Sequence, residues 1–331
     1  MYRSLLPLLL IVFVPLTVRG DDKPPLRAGI IGLDTSHVVA FTQTLNNPQT
    51  KGVLSRVRVV AAYPGGSPDI PDSKNRVEGF TKTLREKFGV EIVDSIDDLL
   101  KKVDVVFLES VDGRPHLEQV KPVFRAKKPV FIDKPVAGSL ADAVEIYRLA
   151  KESGTPCFSS SSLRFSSGIR GVRDDPKFGG ILGCDAYGPC SLEPHHPDLF
   201  WYGIHGVEIL FTVMGPGCES VTRTETDNAE FVVGKWKDGR VGTFRGNRKG
   251  KYDYGAMVFG TKANGSTGRF DSYEPLIIEI CKFFESGKPP VTAEETLEIY
   301  AFMEAADESK RQGGKPVTLA RVLNRAREKA R

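Results

Sequence analysis

Four short runs in this 331-residue chain carry side chains able to do chemistry. The first is Gly29-Ile30-Ile31-Gly32-Leu33-Asp34-Thr35-Ser36-His37, an apolar stretch that turns at a glycine into a helical pattern. A dinucleotide-binding turn would have glycines at 32, 34 and 37, for the tight turn, for close approach of backbone to pyrophosphate, and for packing of helix on strand. Only Gly32 meets that pattern. Asp34 stands where a backbone would approach a dianion, and it either caps the following helix or contacts a cofactor directly. His37 adds bulk at the third position, while Thr35 and Ser36 offer hydroxyls beside the free N–H groups of a helix start.

The second run is Asp133-Lys134-Pro135, the third Arg164-Phe165, and the fourth Phe200-Trp201-Tyr202-Gly203-Ile204-His205-Gly206-Val207-Glu208. An ammonium such as Lys134 orients an alcohol and stabilises a developing alkoxide, and an imidazole such as His205 titrates near neutrality and so suits proton transfer from a hydroxyl. Phe200, Trp201 and Tyr202 form either an aromatic platform for an apolar sugar face or a plain core stripe. All five histidines (His37, His116, His195, His196, His205) follow expected strands or lie in the segment entering the helix of the fourth run, a distribution that favours one shared cleft. His195 or His196 with His205 and Glu208 lacks any recognised ligand spacing, so no metal is expected.

In order and spacing these runs, together with Val103-Asp104-Val105-Val106, Pro115-His116 and Lys128-Pro129-Val130, resemble the Gfo/Idh/MocA family across residues 27–314. The resemblance implies an NAD- or NADP-dependent oxidoreductase acting on a sugar, polyol or sugar-derived alcohol, with Lys134 and His205 as the reacting pair. It implies cofactor contacts from Gly32, Asp34, Thr35, Ser36, His37, Ser110, Asp133, Lys134 and Pro135, and substrate contacts from His116, Arg164, Tyr202 and Glu208. The family's helix carries an acid where this chain has Trp201, one turn before His205, and Trp cannot tune or relay for a histidine as an acid would. Tyr63 stands where an acid would bind ribose hydroxyls, so the choice between NAD and NADP is not legible. The alternative is an exported, non-redox carbohydrate-binding protein that keeps the fold and has lost hydride transfer.

The elements that must position these residues follow from periodicity. Short apolar runs at Ala28–Leu33, Val57–Ala62, Val90–Val93, Val103–Leu108, Pro129–Ile132 and Thr155–Ser159 alternate with helical stretches such as Val38–Leu45, Val77–Phe88 and Leu140–Ala150. Continuously apolar strands separated by helices predict a parallel sheet covered on both faces, a Rossmann-type domain over 26–163. Ser139 with Asp142, and Thr292 with Glu295, are the helix-opening pairs. Beyond residue 163 the pattern changes. Glu230–Lys237 and Arg240–Asn247 flank Asp238-Gly239 as a hairpin, Tyr252–Thr261 follows as a third strand, and Pro197–Met214, Glu274–Glu285 and Ala293–Arg311 read as helices. An α/β substrate domain over 164–331 with an open, antiparallel-rich sheet is expected, and an open sheet face favours a homo-oligomer.

Residues 1–20 read as a Sec-type signal peptide: Arg3 precedes an apolar run from Leu5 to Val14, and Val18 and Gly20 suit cleavage before Asp21. The run is too short for a stable membrane span, so a periplasmic or extracellular location is expected. The formal charge of +4 includes Arg3 and Arg19, which leaves +2 after residue 20, with basic and acidic residues interspersed and no nucleic-acid partner implied. Five scattered cysteines leave room for at most a bridge such as Cys184 to Cys190 in an oxidising compartment.

Overall fold

The computed structural model describes residues 23–330, so the segment expected to be a signal peptide lies outside the described residues. The first half runs β1 (Leu26–Ile31), α1 (Ser36–Leu45), β2 (Val57–Tyr63), α2 (Pro71–Lys74), α3 (Val77–Phe88), β3 (Glu91–Ile92), α4 (Ile96–Leu100), β4 (Val105–Leu108), α5 (His116–Arg125), β5 (Val130–Ile132), α6 (Leu140–Ser153) and β6 (Cys157–Ser159). The six strands form one all-parallel sheet in the order β3-β2-β1-β4-β5-β6, as their continuous burial requires. That order places the chain reversal between β1 and β4, where α/β sheets open a crevice beyond the carboxyl ends of their strands. Ser139 accepts from Asp142 N at 3.1 Å and opens α6, and Gly154 closes it in the left-handed conformation.

The second half continues with β7 (Ile181–Pro189), α7 (Asp198–Trp201), α8 (Gly203–Met214), β8 (Cys218–Thr226), β9 (Ala229–Trp236), β10 (Val241–Asn247), β11 (Gly255–Gly260), β12 (Asn264–Ser266), α9 (Glu274–Ser286), α10 (Ala293–Arg311), β13 (Val317–Thr318) and α11 (Leu319–Lys329). Its seven strands order as β12-β11-β7-β10-β9-β8-β13, antiparallel except where β10 runs parallel to β7. The single helix expected over Pro197–Met214 is two, broken at Tyr202, whose backbone at φ −117° departs from helical geometry. Helices α8 and α10 cover one face of this sheet. The other presents Leu182, Tyr187, Phe231, Val241 and Met257, all exposed.

Sequence order and packing part company at α9. Its Leu276, Ile277, Ile280, Phe283 and Phe284 are buried in the same cluster as Phe41, Phe107, Phe131 and Phe158 of the first sheet. Phe284 meets Phe107 edge-on at 5.2 Å, and Phe283 meets Phe158 at 5.0 Å. A helix from the second half thus completes the core of the first. All five cysteines are buried and free, so the Cys184–Cys190 bridge is not formed.

Candidate active site

Lys134 follows β5, and His205 sits in the first turn of α8, yet both line one cavity of about 170 Å³ at the amino end of α1. Thr35, Ser36 and His37 form its floor, and Trp201, Tyr202, Tyr254 and Tyr273 wall it. The Lys134 ammonium lies 5.8 Å from the centre of the Tyr202 ring, an approach that stabilises a cation partly withdrawn from water. His205 Nδ1 lies 2.7 Å from Ser161 Oγ, which leaves Nε2 as the ring nitrogen available to a ligand. Burial, then the nearby charges of Lys134 and His37, hold the His205 pKa well below its usual value.

Behind Lys134 the acid of the Asp-Lys-Pro run is fixed. Asp133 Oδ2 is 2.7 Å from His37 Nδ1, and Asp133 Oδ1 accepts from Lys134 N at 2.8 Å. Burial opposes ionisation of Asp133, but His37 outweighs it and the carboxyl is held below its usual range. The imidazole of His37 stacks on Phe41 and meets Tyr273 edge-on. His37 therefore uses the space a glycine would have left to orient the acid beside Lys134.

Gly32 keeps its role in the turn: its φ is +87°, and a Cβ there would lie 2.3–2.5 Å from Ser110. Asp34 does not cap α1, whose N-cap is Thr35 without a side-chain bond. Its fully buried carboxylate instead accepts from Ser73 Oγ at 2.6 Å and from Val111 N at 2.8 Å. Ser110 and Pro135 are buried beside this turn and do not line the cavity, Ser110 Oγ donating to Gln119.

Three residues assigned to substrate are placed elsewhere. His116 is fully buried, its ring nitrogens 2.9 and 3.2 Å from the carbonyls of Ser110 and Val136, where it ties two strand-end loops together. Arg164 and Glu208 pair with each other at 2.5 Å, and Glu295 receives a second Arg164 bond at 2.8 Å. Both are buried because a guanidinium desolvated between two carboxylates replaces its lost water. Ser161, Tyr254 and Tyr273 were missed. Ser161 belongs to the serine run at the end of the sixth strand, a place where site residues gather, whereas the two tyrosines reach the cavity through tertiary folding alone.

Among the described residues, the acids close enough to share a cation are Asp198, Glu225 and Glu230. Arg223, Arg248 and Lys310 already fill that cluster. No helix among the described residues is long and apolar enough to cross a membrane.

A parallel sheet with its site at the carboxyl strand ends, completed by a helix of a second, antiparallel-rich domain, defines a two-domain Rossmann architecture. Residues 26–161 match the Gfo/Idh/MocA oxidoreductase family, NAD-binding Rossmann fold. It is 25% identical over 210 residues to myo-inositol 2-dehydrogenase of Thermotoga maritima, a match that takes in 55% of this chain and 62% of that relative. The chain thus spans less than two thirds of the curated relative's length. Its fold is that of scyllo-inositol dehydrogenase from Lactobacillus casei, solved with bound NAD(H) and scyllo-inositol (TM-score 0.72, 16% identity, 89% of this chain and 99% of that one). Myo-inositol 2-dehydrogenase from Lactobacillus plantarum superposes as well (TM-score 0.71, 17% identity, 89% and 99%).

A dinucleotide fits this chain at the nicotinamide end, where the α1 amino terminus with Thr35 and Ser36, and Lys134, converge on the cavity, and the Gly32 turn keeps the tight backbone that a pyrophosphate needs. The chain's own segment after β2 is tied to this turn, Ser73 Oγ donating to Asp34.

Proposed function

We propose that the protein is an NAD(P)-dependent oxidoreductase that interconverts a secondary alcohol of a sugar or polyol with its ketone. The observation that carries this reading is the convergence of Lys134 and His205, from different domains, on one cavity at the amino end of α1. Lys134 orients the substrate hydroxyl and stabilises the alkoxide, and His205 takes the hydroxyl proton at Nε2. The nicotinamide, when bound, supplies the hydride acceptor. Tyr202, Tyr254 and Tyr273 give apolar sugar faces a surface. A panel of inositols and aldoses assayed for reduction of NAD or NADP tests the reading, and failure of every pair to produce reduced nicotinamide would sink it. The competing reading, a non-redox carbohydrate-binding protein, draws on Asp34, which stands where a dinucleotide-binding turn would have glycine and ties down the segment after β2. Sugar binding without any dinucleotide binding would favour it.

Because burial lowers the His205 pKa, the neutral base persists below its usual value of about 6.5. The acid limb of the kcat/KM profile is therefore expected below pH 6.5, and an inflection at or above that value would remove His205 as the base. Export and assembly remain part of the same proposal. Native mass spectrometry of protein from its source cells should find chains beginning at or near Asp21, assembled through the exposed face of the second sheet. An intact Met1 would overturn the export reading, and a monomer the assembly.

A further inference from the structure

Between β2 and α3 the chain crosses the carboxyl end of β1, because β2 and β4 flank β1 and the segment is bonded beyond β4. Ser67 Oγ donates to Asp112 Oδ2 at 2.6 Å, and Arg114 donates to both oxygens of Asp69 at 2.9 Å. Underneath, the Asp34 carboxylate joins Ser73 of the segment to Val111 of the β4 loop, and Ser73 Oγ accepts from Ser67 N at 2.7 Å. Ile70, fully buried, packs with Val111 and Trp201. Leu33 N, in the turn itself, donates to Pro64 O at 2.7 Å. Two departures from the expected pattern, Asp34 for glycine and Trp201 for an acid, thus hold the same stretch of chain.

A Rossmann dinucleotide runs over this ground, with pyrophosphate at the α1 turn and adenosine ribose at the end of β2. The ground is also acidic. Asp34, Glu109, Asp112 and Asp133 are all buried at the carboxyl edge of the sheet, and neither carboxyl oxygen of Glu109 has a hydrogen-bond partner among the described residues. Burial, then Asp133 and Asp34, raises the Glu109 pKa well above its usual value.

We propose that residues 67–76 are a strap lying across the dinucleotide track beyond β1, that Asp34 is its catch, and that NAD or NADP binds only when the strap lifts. The inference rests on the oxidoreductase reading above. The strap has a ready hinge: Gly65 and Gly66 adopt φ of +59° and +107°, and α3 begins directly after Arg76. A ligand that needs a minor open state binds more weakly by the open fraction, so weakening the catch strengthens binding.

The test uses the full chain, wild type and Ser73→Ala, titrated with NAD and NADP by tryptophan fluorescence, together with hydrogen-exchange mass spectrometry with and without dinucleotide. Ser73 lies outside the cavity, and the wild-type exchange measurement needs no variant. The expected result is loss of protection in the 67–76 amides on binding, and an apparent Kd about 5–30-fold lower in Ser73→Ala, the factor that one or two lost hydrogen bonds imply. Dinucleotide binding with unchanged protection of those amides and unchanged affinity in Ser73→Ala would overturn the strap and leave the oxidoreductase reading intact. No binding to either protein would overturn the oxidoreductase reading, and the strap's role with it.

Discussion

Lys134→Ala and His205→Ala are each expected to lower kcat by about 10²–10⁴-fold, with dinucleotide affinity and folding nearly unchanged. The double substitution should cost little more than the worse single one, because two groups acting on one proton transfer behave as a unit. The structural basis is their shared cavity, with Lys134 oriented by the His37–Asp133 pair and His205 by Ser161. His205 is 9% exposed but borders the cavity, so alanine there enlarges an existing space rather than opening a sealed one, and Lys134 is only half-buried. Additive losses in steady-state kinetics would place the two residues on separate steps. Unchanged turnover in both would make the pair a binding feature.

Arg164→Met is expected to destabilise the fold by about 3–5 kcal/mol in urea denaturation, since it leaves Glu208 buried without its cation. The side chain is one tenth exposed and bridges Glu208 to Glu295, at the junction of β6, α8 and α10. In the folded fraction the KM for substrate should change little, because Arg164 does not line the cavity. A variant of wild-type stability with a sharply raised KM would return Arg164 to substrate binding.

The parallel sheet was legible because β4 and β5 are apolar and buried throughout, and β1 and β2 are so apart from Arg27 and Arg58 near their starts and the partly buried Leu26, Val60 and Tyr63. The second sheet was only half legible. The β9–β10 hairpin announced itself through Asp238-Gly239, but β7, the strand on which β10 and β11 both pair, contains Gly183, Asp185, Gly188 and Pro189, residues depleted in strands. Its support comes from neighbours far away in sequence. At the site, Lys134 and His205 were brought together by the resemblance their runs carry, and both line the cavity. Arg164, Glu208 and His116 could not, since a polar residue near a cleft reads the same whether it faces a ligand or satisfies another buried group. Asp34 showed the same limit. The two roles open to it were a cap on the following helix and a cofactor contact, whereas its actual partners are Ser73 in α2 and Val111 after β4.

Helix α9 has a consequence for the order of events in synthesis. Phe41, Phe107, Phe131 and Phe158 acquire the covering rings of Phe283 and Phe284 only after more than a hundred further residues have been made. An isolated fragment ending near residue 163 would leave that face of its sheet bare and prone to aggregate. In a growing chain the same delay keeps the first domain from locking until the carboxyl-terminal third arrives. A chain cut before residue 274 should therefore be recovered as inclusion bodies rather than as a folded nucleotide domain.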